Sequence, residues 1–213
     1  MTKTLIFGID PAGEKPETQK AIAAALLEDA VIAYPTETFY ALGAAAFSRQ
    51  AVEKVYRLKK RDAAKPLSVI VSDLDMVRDI TGPLPPVFRV LAGEFWPGPL
   101  TLVLPAAPRL PAFLSGPGRT IAVRIPPLAW LRQLVREISQ PLTATSANLS
   151  GEKELADPTE VAAVFQEKID MIVDGGPSPG GAPSTIVDLT SAEPRILREG
   201  AVSAARLRAL LGS

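Results

Sequence analysis

The chain has 213 residues, 47% of them hydrophobic, and its 23 Lys+Arg balance 23 Asp+Glu. That length suits one large domain or two small ones with a sizeable core, and the composition excludes wholesale disorder. Zero net charge argues against a protein that coats nucleic acid non-specifically.

Cysteine and histidine are both absent. Disulfides, thiolate nucleophiles, Ser-His-Asp triads and His- or Cys-held metals are therefore excluded. Chemistry is left to carboxylates, Lys, Arg, Tyr, hydroxyls, backbone dipoles or an oxygen-bound ion such as Mg²⁺. Phosphoryl and nucleotidyl transfer, which need charge neutralisation and positioning, pass that filter.

The N-terminal MTKTLIFGIDPAG has too short an apolar run for a signal peptide, and no segment approaches a membrane span. A cytoplasmic protein is expected. Thr4 to Ile9 reads as a strand. Ile22, Ala25 and Leu26 share one face of a helix from Glu17 to Asp29. Ala30 to Pro35 is a buried strand stopped by proline. Ser48 caps a helix to about Leu58. Leu67 to Val71 is a strand, and Asp73 caps a short helix after it. Pro85 to Phe95 is helical. There Trp96 anchors the helix end, and Pro97-Gly98-Pro99 turns the chain. Strands follow at Leu100 to Leu104 and Thr120 to Ile125, then a helix from Leu128 to Ile138. Pro141 to Thr145 is a short strand. Asp157, Pro158 and Glu160 open a helix as cap, first residue and capping-box acid. Strands at Asp170 to Val173, Thr185 to Leu189 and Arg195 to Leu197 precede a last helix, capped by Ser203 and running to Leu211. The alternation is too irregular for a pure βαβ repeat, so a mixed sheet is expected.

Several strands run out into polar groups. YPTETFYALG (Tyr34 to Gly43) places Thr36, Glu37, Thr38 and Tyr40 after a buried strand, where α/β sheets bind ligands. LKKRDAAKPLSVIV sets Lys59, Lys60, Arg61 and Lys65 beside a strand, as a solvated face or an anion site. TSANLSG offers Ser146 and Asn148, two apart, for neutral recognition of phosphate, ribose or carboxylate, or for an Asx turn. Arg124 stands among apolar neighbours, so it pairs with a carboxylate of the fold or meets an anionic ligand. Ser184 and Arg198 flank two late strands. DGGPSPGG lacks the ending of a P-loop. It is read as a loop inside one domain, and its glycines suit a lid over substrates.

Taken in order, YPTETFYALG, LKKR…KPL, FWPGPLT, VRIP, TSANLSG, STIVDL and LREG resemble the YrdC family of threonylcarbamoyl-AMP synthases, from about Ala30 to Gly200. The resemblance implies an α/β fold. It is a single YrdC-like domain over residues 1–213, with a twisted mixed parallel/antiparallel sheet, flanking helices and a large concave cavity. It implies a nucleotidyltransferase. L-threonine, bicarbonate or CO2 and ATP give L-threonylcarbamoyladenylate and pyrophosphate, for N6-threonylcarbamoyladenosine in tRNA. A separate transferase complex would act on the tRNA. By motif, Lys59 and Arg61 are catalytic. ATP falls to Lys59, Arg61, Ser146, Asn148 and Arg198, and threonine to Thr36, Arg124 and Ser184. No residue is assigned to a metal; Mg²⁺ is expected on the triphosphate. Lys60 is expected in solvent, pointing away from Lys59 and Arg61 on an extended segment.

The chain departs from the family pattern in three places. Asp62 follows the Lys-x-Arg pair where many members have Pro. Ile70 stands about where some have a His against threonine. The chain stops soon after LREGAVS, as in the short single-domain form. Three rivals stand beside the synthase: a non-catalytic module for structured RNA, a relative without the activity, and a carbamoyl-adenylate enzyme like the domain of hydrogenase maturation factors.

Overall fold

The computed structural model describes residues 3–10, 16–62 and 65–212. Ala63 and Ala64 of the cationic segment, and residues 1–2 and 11–13 of the N-terminal stretch read for a signal peptide, lie outside the described residues. One mixed sheet of ten strands organises the chain. In chain order it is built from β1 (Leu5–Gly8), α1 (Pro16–Leu27), β2 (Ile32–Pro35), β3 (Tyr40–Gly43) and α2 (Arg49–Lys59). Next come β4 (Ser68–Ile70), α3 (Leu74–Ile80), α4 (Pro86–Phe95), β5 (Leu100–Pro105), a 3-10 turn (Ala112–Leu114) and β6 (Thr120–Arg124). The rest is α5 (Ala129–Glu137), β7 (Leu142–Ser146), α6 (Pro158–Phe165), β8 (Met171–Asp174), β9 (Thr185–Asp188), β10 (Arg195–Arg198) and α7 (Ala204–Leu211). Across the sheet the order is β1-β8-β2-β3-β7-β4-β6-β5-β9-β10. Four pairs are parallel (β1/β8, β2/β8, β4/β6, β5/β9) and the other five antiparallel.

The helix starts follow the expected chemistry. Ser48 accepts a hydrogen bond from the Ala51 N–H, Asp73 from Asp75 and Met76, Asp157 from Thr159 and Ser203 from Arg206. Each satisfies backbone donors that a helix start leaves open. The central strands are buried on both faces. Ile32 and Tyr34 pack with α1 and α5, through Ile22, Leu26, Trp130 and Leu134. Val31 and Ala33, one residue out of phase, join the larger core on the other face.

Two features differ from expectation. Residues 40–43, given no element from the sequence, form β3 and hairpin back onto β2, with Ile32 opposite Gly43 and Pro35 opposite Tyr40. Gly43 is obligatory there: a Cβ would stand 2.5 Å from the Thr143 carbonyl and 2.6 Å from the Tyr34 ring. Lys59 closes α2, and Lys60 takes the left-handed cap conformation, φ 50°. The expected extended geometry for Lys59, Lys60 and Arg61 is thus absent, because the helix runs to the end of its cationic turn.

The chain must travel from β8, near one sheet edge, to β9, near the other. The glycine-rich 175–184 segment makes that crossing past the ends of the central strands. It is tied down by backbone bonds from Ser178 to Ala156 O (2.8 Å) and Gly180 to Thr38 O (2.7 Å). The buried Tyr40 hydroxyl donates to Gly176 O at 2.8 Å and accepts from Gly175 N. Among the described residues, no helix is long and apolar enough to cross a membrane.

Candidate functional site

A recess of about 210 Å³ opens on the central strands. It is smaller than the large cavity expected. Its floor uses residues two apart, which share a sheet face: Ser68 and Ile70 of β4, Ala122 and Arg124 of β6, Ala144 and Ser146 of β7. Register brings them together, since Ser68 lies opposite Ala144 and Ile70 beside Arg124. Short side chains at Ser68, Ala122 and Ala144 are what leave the space. Thr36, Arg61, Ser184 and Arg198 complete the walls. Most of the expected site residues therefore converge, although they come from six separate stretches of sequence.

Arg124 is buried, and its guanidinium pairs with the Glu37 carboxylate. The two alternatives left open by the sequence are thus compatible. Arg124 has a partner in the fold, and it also faces the recess with donors to spare, since a guanidinium carries five N–H groups. The second Glu37 oxygen, Oε2, is buried without a hydrogen bond. Thr36 stabilises the β2–β3 turn: its hydroxyl donates to Phe39 O at 2.6 Å and accepts from Thr38 N.

Lys59 lies behind the recess wall and is only 2% exposed. Its ammonium donates to Ser146 O, to Asn148 O at 2.9 Å and to Asn148 Oδ1 at 2.7 Å. The Ser146 hydroxyl donates to Asn148 Oδ1 at 2.8 Å, and the Asn148 amide to Glu152 O at 2.6 Å. Lys59 and the Ser-x-Asn pair are therefore one hydrogen-bonded unit that fixes the loop leaving β7. Burial pushes the Lys59 pKa down to about 8, and neighbouring Arg61 adds to the drop; Glu154 opposes both. The ammonium keeps its proton at neutral pH and spends all three donors on this loop.

Arg61 is half-buried and braced by the chain itself, through Nε to Lys65 O (2.9 Å) and Nη2 to Pro66 O (3.2 Å). Arg198 donates from Nε and Nη2 to Ser184 O (3.1 and 2.8 Å) and from Nη2 to Ser184 Oγ. Ser184 Oγ in turn meets buried Thr101 Oγ1 at 3.0 Å. Gly200 lets these strands touch, since a Cβ there would fall 2.1 Å from Pro183 O and 2.8 Å from the Ser184 carbonyl carbon.

Sequence reasoning missed Glu154, the carboxylate that lines the recess and whose charge acts on Lys59 and Arg198. It lies in an exposed-looking polar stretch, and nothing local marks it. Tyr40 was noted only as a polar group, yet it moors the crossing segment. The Asp62 departure is exposed and does not line the recess. Ile70, the other, is fully buried and gives the recess an apolar wall. Among the described residues, no group of three or more carboxylates is placed to hold a metal ion. A divalent ion at this site would need oxygens brought by a ligand.

Three arginines, hydroxyls and a lysine-fixed loop surround a small recess in this α/β domain, a set of groups whose chemistry suits a small carboxylate or phosphate ligand. The Sua5/YciO/YrdC family model, described as "Telomere recombination", matches residues 24–200. The chain belongs to that family. It is 40% identical to the threonylcarbamoyl-AMP synthase of Bacillus subtilis (strain 168), over 92% of this chain and 57% of that protein. It is 34% identical to the threonylcarbamoyl-AMP synthase of Coxiella burnetii (strain RSA 493), over 79% of this chain and 90% of that protein. The solved structure of Pyrococcus abyssi Sua5 complexed with L-threonine superposes with a TM-score of 0.93 at 33% identity. The match covers 98% of this chain and 61% of that one. The chain spans a little over half the length of the first curated relatives, 57% and 54%.

Proposed function

We propose that this chain is a threonylcarbamoyl-AMP synthase. The threonine amine attacks bicarbonate with loss of water, or CO2 with loss of a proton, and an oxygen of the resulting N-carboxylate attacks the α-phosphate of ATP. Pyrophosphate leaves, and L-threonylcarbamoyladenylate remains. The observation that carries the reading is the near-complete superposition on a Sua5 whose structure holds L-threonine, together with buried Arg124 facing the recess.

Arg124, Thr36 and Ser184 hold the amino acid, Arg124 through its carboxylate. Arg61 and Arg198 face the phosphates, and Ser146 and Asn148 the nucleotide. Lys59 acts with Arg61 on the reacting centre, chiefly by fixing the Ser146–Asn148 loop and adding positive charge behind it. Charge that builds at the α-phosphate during attack is neutralised by groups already in place, which lowers the barrier without a titrating histidine. Mg²⁺ bound to the triphosphate oxygens would supply further charge neutralisation, with no carboxylate cluster of the described residues needed to hold it. The product passes to a transferase complex acting on tRNA, in the cytoplasm, and contact with RNA is weak. The 175–184 segment is the element proposed to close over the substrates, and one domain spans residues 1–213.

The test is product identity. Labelled bicarbonate, threonine, ATP and Mg²⁺ are incubated with the protein, and the products are separated and weighed. A labelled adenylate with the mass of threonylcarbamoyl-AMP is expected. Adenylate lacking the label, or none at all from folded protein, would refute the assignment.

A further inference from the structure

A second concavity, of about 870 Å³, lies between α3, α4 and α5. It is distinct from the recess. Arg124 faces the recess, and the next residue, Ile125, faces this groove. Its floor is apolar, from Leu84, Phe88, Ala92, Trp96 and Ile125. Its rim carries four cations, Arg78, Arg89, Arg132 and Arg136, against one carboxylate, Asp73. Leu74, also on the rim, leaves a large apolar side chain 42% exposed.

Two observations mark this face as built for a partner. The first is Gly93, in the last turn of α4. Glycine inside a helix is costly, and a close neighbour usually explains it. A Cβ at Gly93 meets nothing within 4 Å, so no internal contact asks for the glycine. It keeps the groove deep where something outside the chain can enter. The second is charge. Arg78 pairs with Asp75, and Arg136 lies 3.6 Å from Asp73, both at exposed positions where such pairs hold little. Arg89 and Arg132 have no carboxylate partner among the described residues. In a chain of zero net charge, this is a local cationic excess around apolar surface.

We propose that the groove docks an acidic, amphipathic peptide segment of a partner protein. Apolar side chains would fill the floor over Gly93, and flanking Asp or Glu would meet the arginines. Trp and Arg are the residue types that most often dominate such interfaces. The Trp96 indole N–H bonds Leu100 O at 2.6 Å and its half-buried ring meets Phe88 edge to face, which fixes it in the lining of the groove. A phosphodiester backbone suits the site less well, because it needs cations along its track and gains nothing from an apolar floor.

The test is selection from a displayed library of random peptides on the purified wild-type protein, with Gly93→Trp in solution as competitor. Enriched peptides should combine Leu, Phe or Trp with Asp and Glu. Their affinity by fluorescence anisotropy should fall at least about tenfold on Arg89→Glu, on Gly93→Trp, and on raising salt. Far-UV circular dichroism and melting establish that the variants are folded, with Arg89→Gln in reserve. No enrichment, binders without net negative charge, binders indifferent to both substitutions, or displacement by short double-stranded RNA would each overturn the proposal.

Discussion

Lys59 shows how much of this site depends on a single buried cation. Its ammonium serves three oxygens of the β7 exit loop at once. Lys59→Met would leave those acceptors without their donor, at a cost of about 1–3 kcal/mol in stability. Turnover should fall by orders of magnitude, because the Ser146–Asn148 loop would no longer be held; a denaturant titration and a turnover assay check the pair of outcomes. The lowered pKa gives a second signature. In the unfolded chain Lys59 titrates near 10.5, and in the folded one near 8. Between these values the unfolded state holds more protons, so this group's contribution to stability rises as pH climbs through that window. Activity should move the opposite way, falling above about pH 8 as the ammonium loses a donor and its charge. Matched pH profiles of melting and turnover, wild type against Lys59→Met, test the divergence. Arg124→Met is expected to raise the threonine KM roughly ten- to hundredfold, the worth of a charged hydrogen bond. It should also cost about 3–5 kcal/mol in stability, because Glu37 is left buried and unpaired.

At the scale of elements, the local rules worked where the cause was local. Ser48, Asp73, Asp157 and Ser203 are read as caps from composition alone, and each accepts a backbone bond at its helix start. β3 escaped because Tyr40–Gly43 is buried on both faces and so shows no alternation; the hydroxyls before it look like a loop. Lys60 escaped because a left-handed cap usually announces itself with glycine or asparagine. The candidate residues were visible as types, but not their linkage: Lys59 meets Asn148 across 89 positions, and Arg124 meets Glu37 across 87. Only the strand order brings them together. Two glycines separate local cost from tertiary need. Gly93→Ala should stabilise the protein by about 0.5–1 kcal/mol, because its Cβ enters open space. Gly200→Ala should instead displace Pro183 and Ser184, destabilising the protein and weakening threonine binding together. Chemical denaturation and calorimetric titration distinguish the two.

At the scale of the whole molecule, the sheet order forces the 175–184 segment across the strand ends, and Tyr40 moors it. Burial raises the Tyr40 hydroxyl pKa to about 12, so it remains a donor to Gly176 through the physiological range. Tyr40→Phe should speed proteolysis within 175–184 while leaving the sheet intact, as followed by peptide mapping. If the segment closes over substrates, ATP with threonine should slow that cleavage in the wild type; equal cleavage with and without them would count against closure. The central claim concerns what the recess does, and pyrophosphate release from ATP with Mg²⁺ reads it most directly. The account predicts release that requires both L-threonine and bicarbonate and that drops sharply when serine or alanine replaces threonine at equal concentration. Release indifferent to threonine, or none from folded protein under any combination, would contradict it.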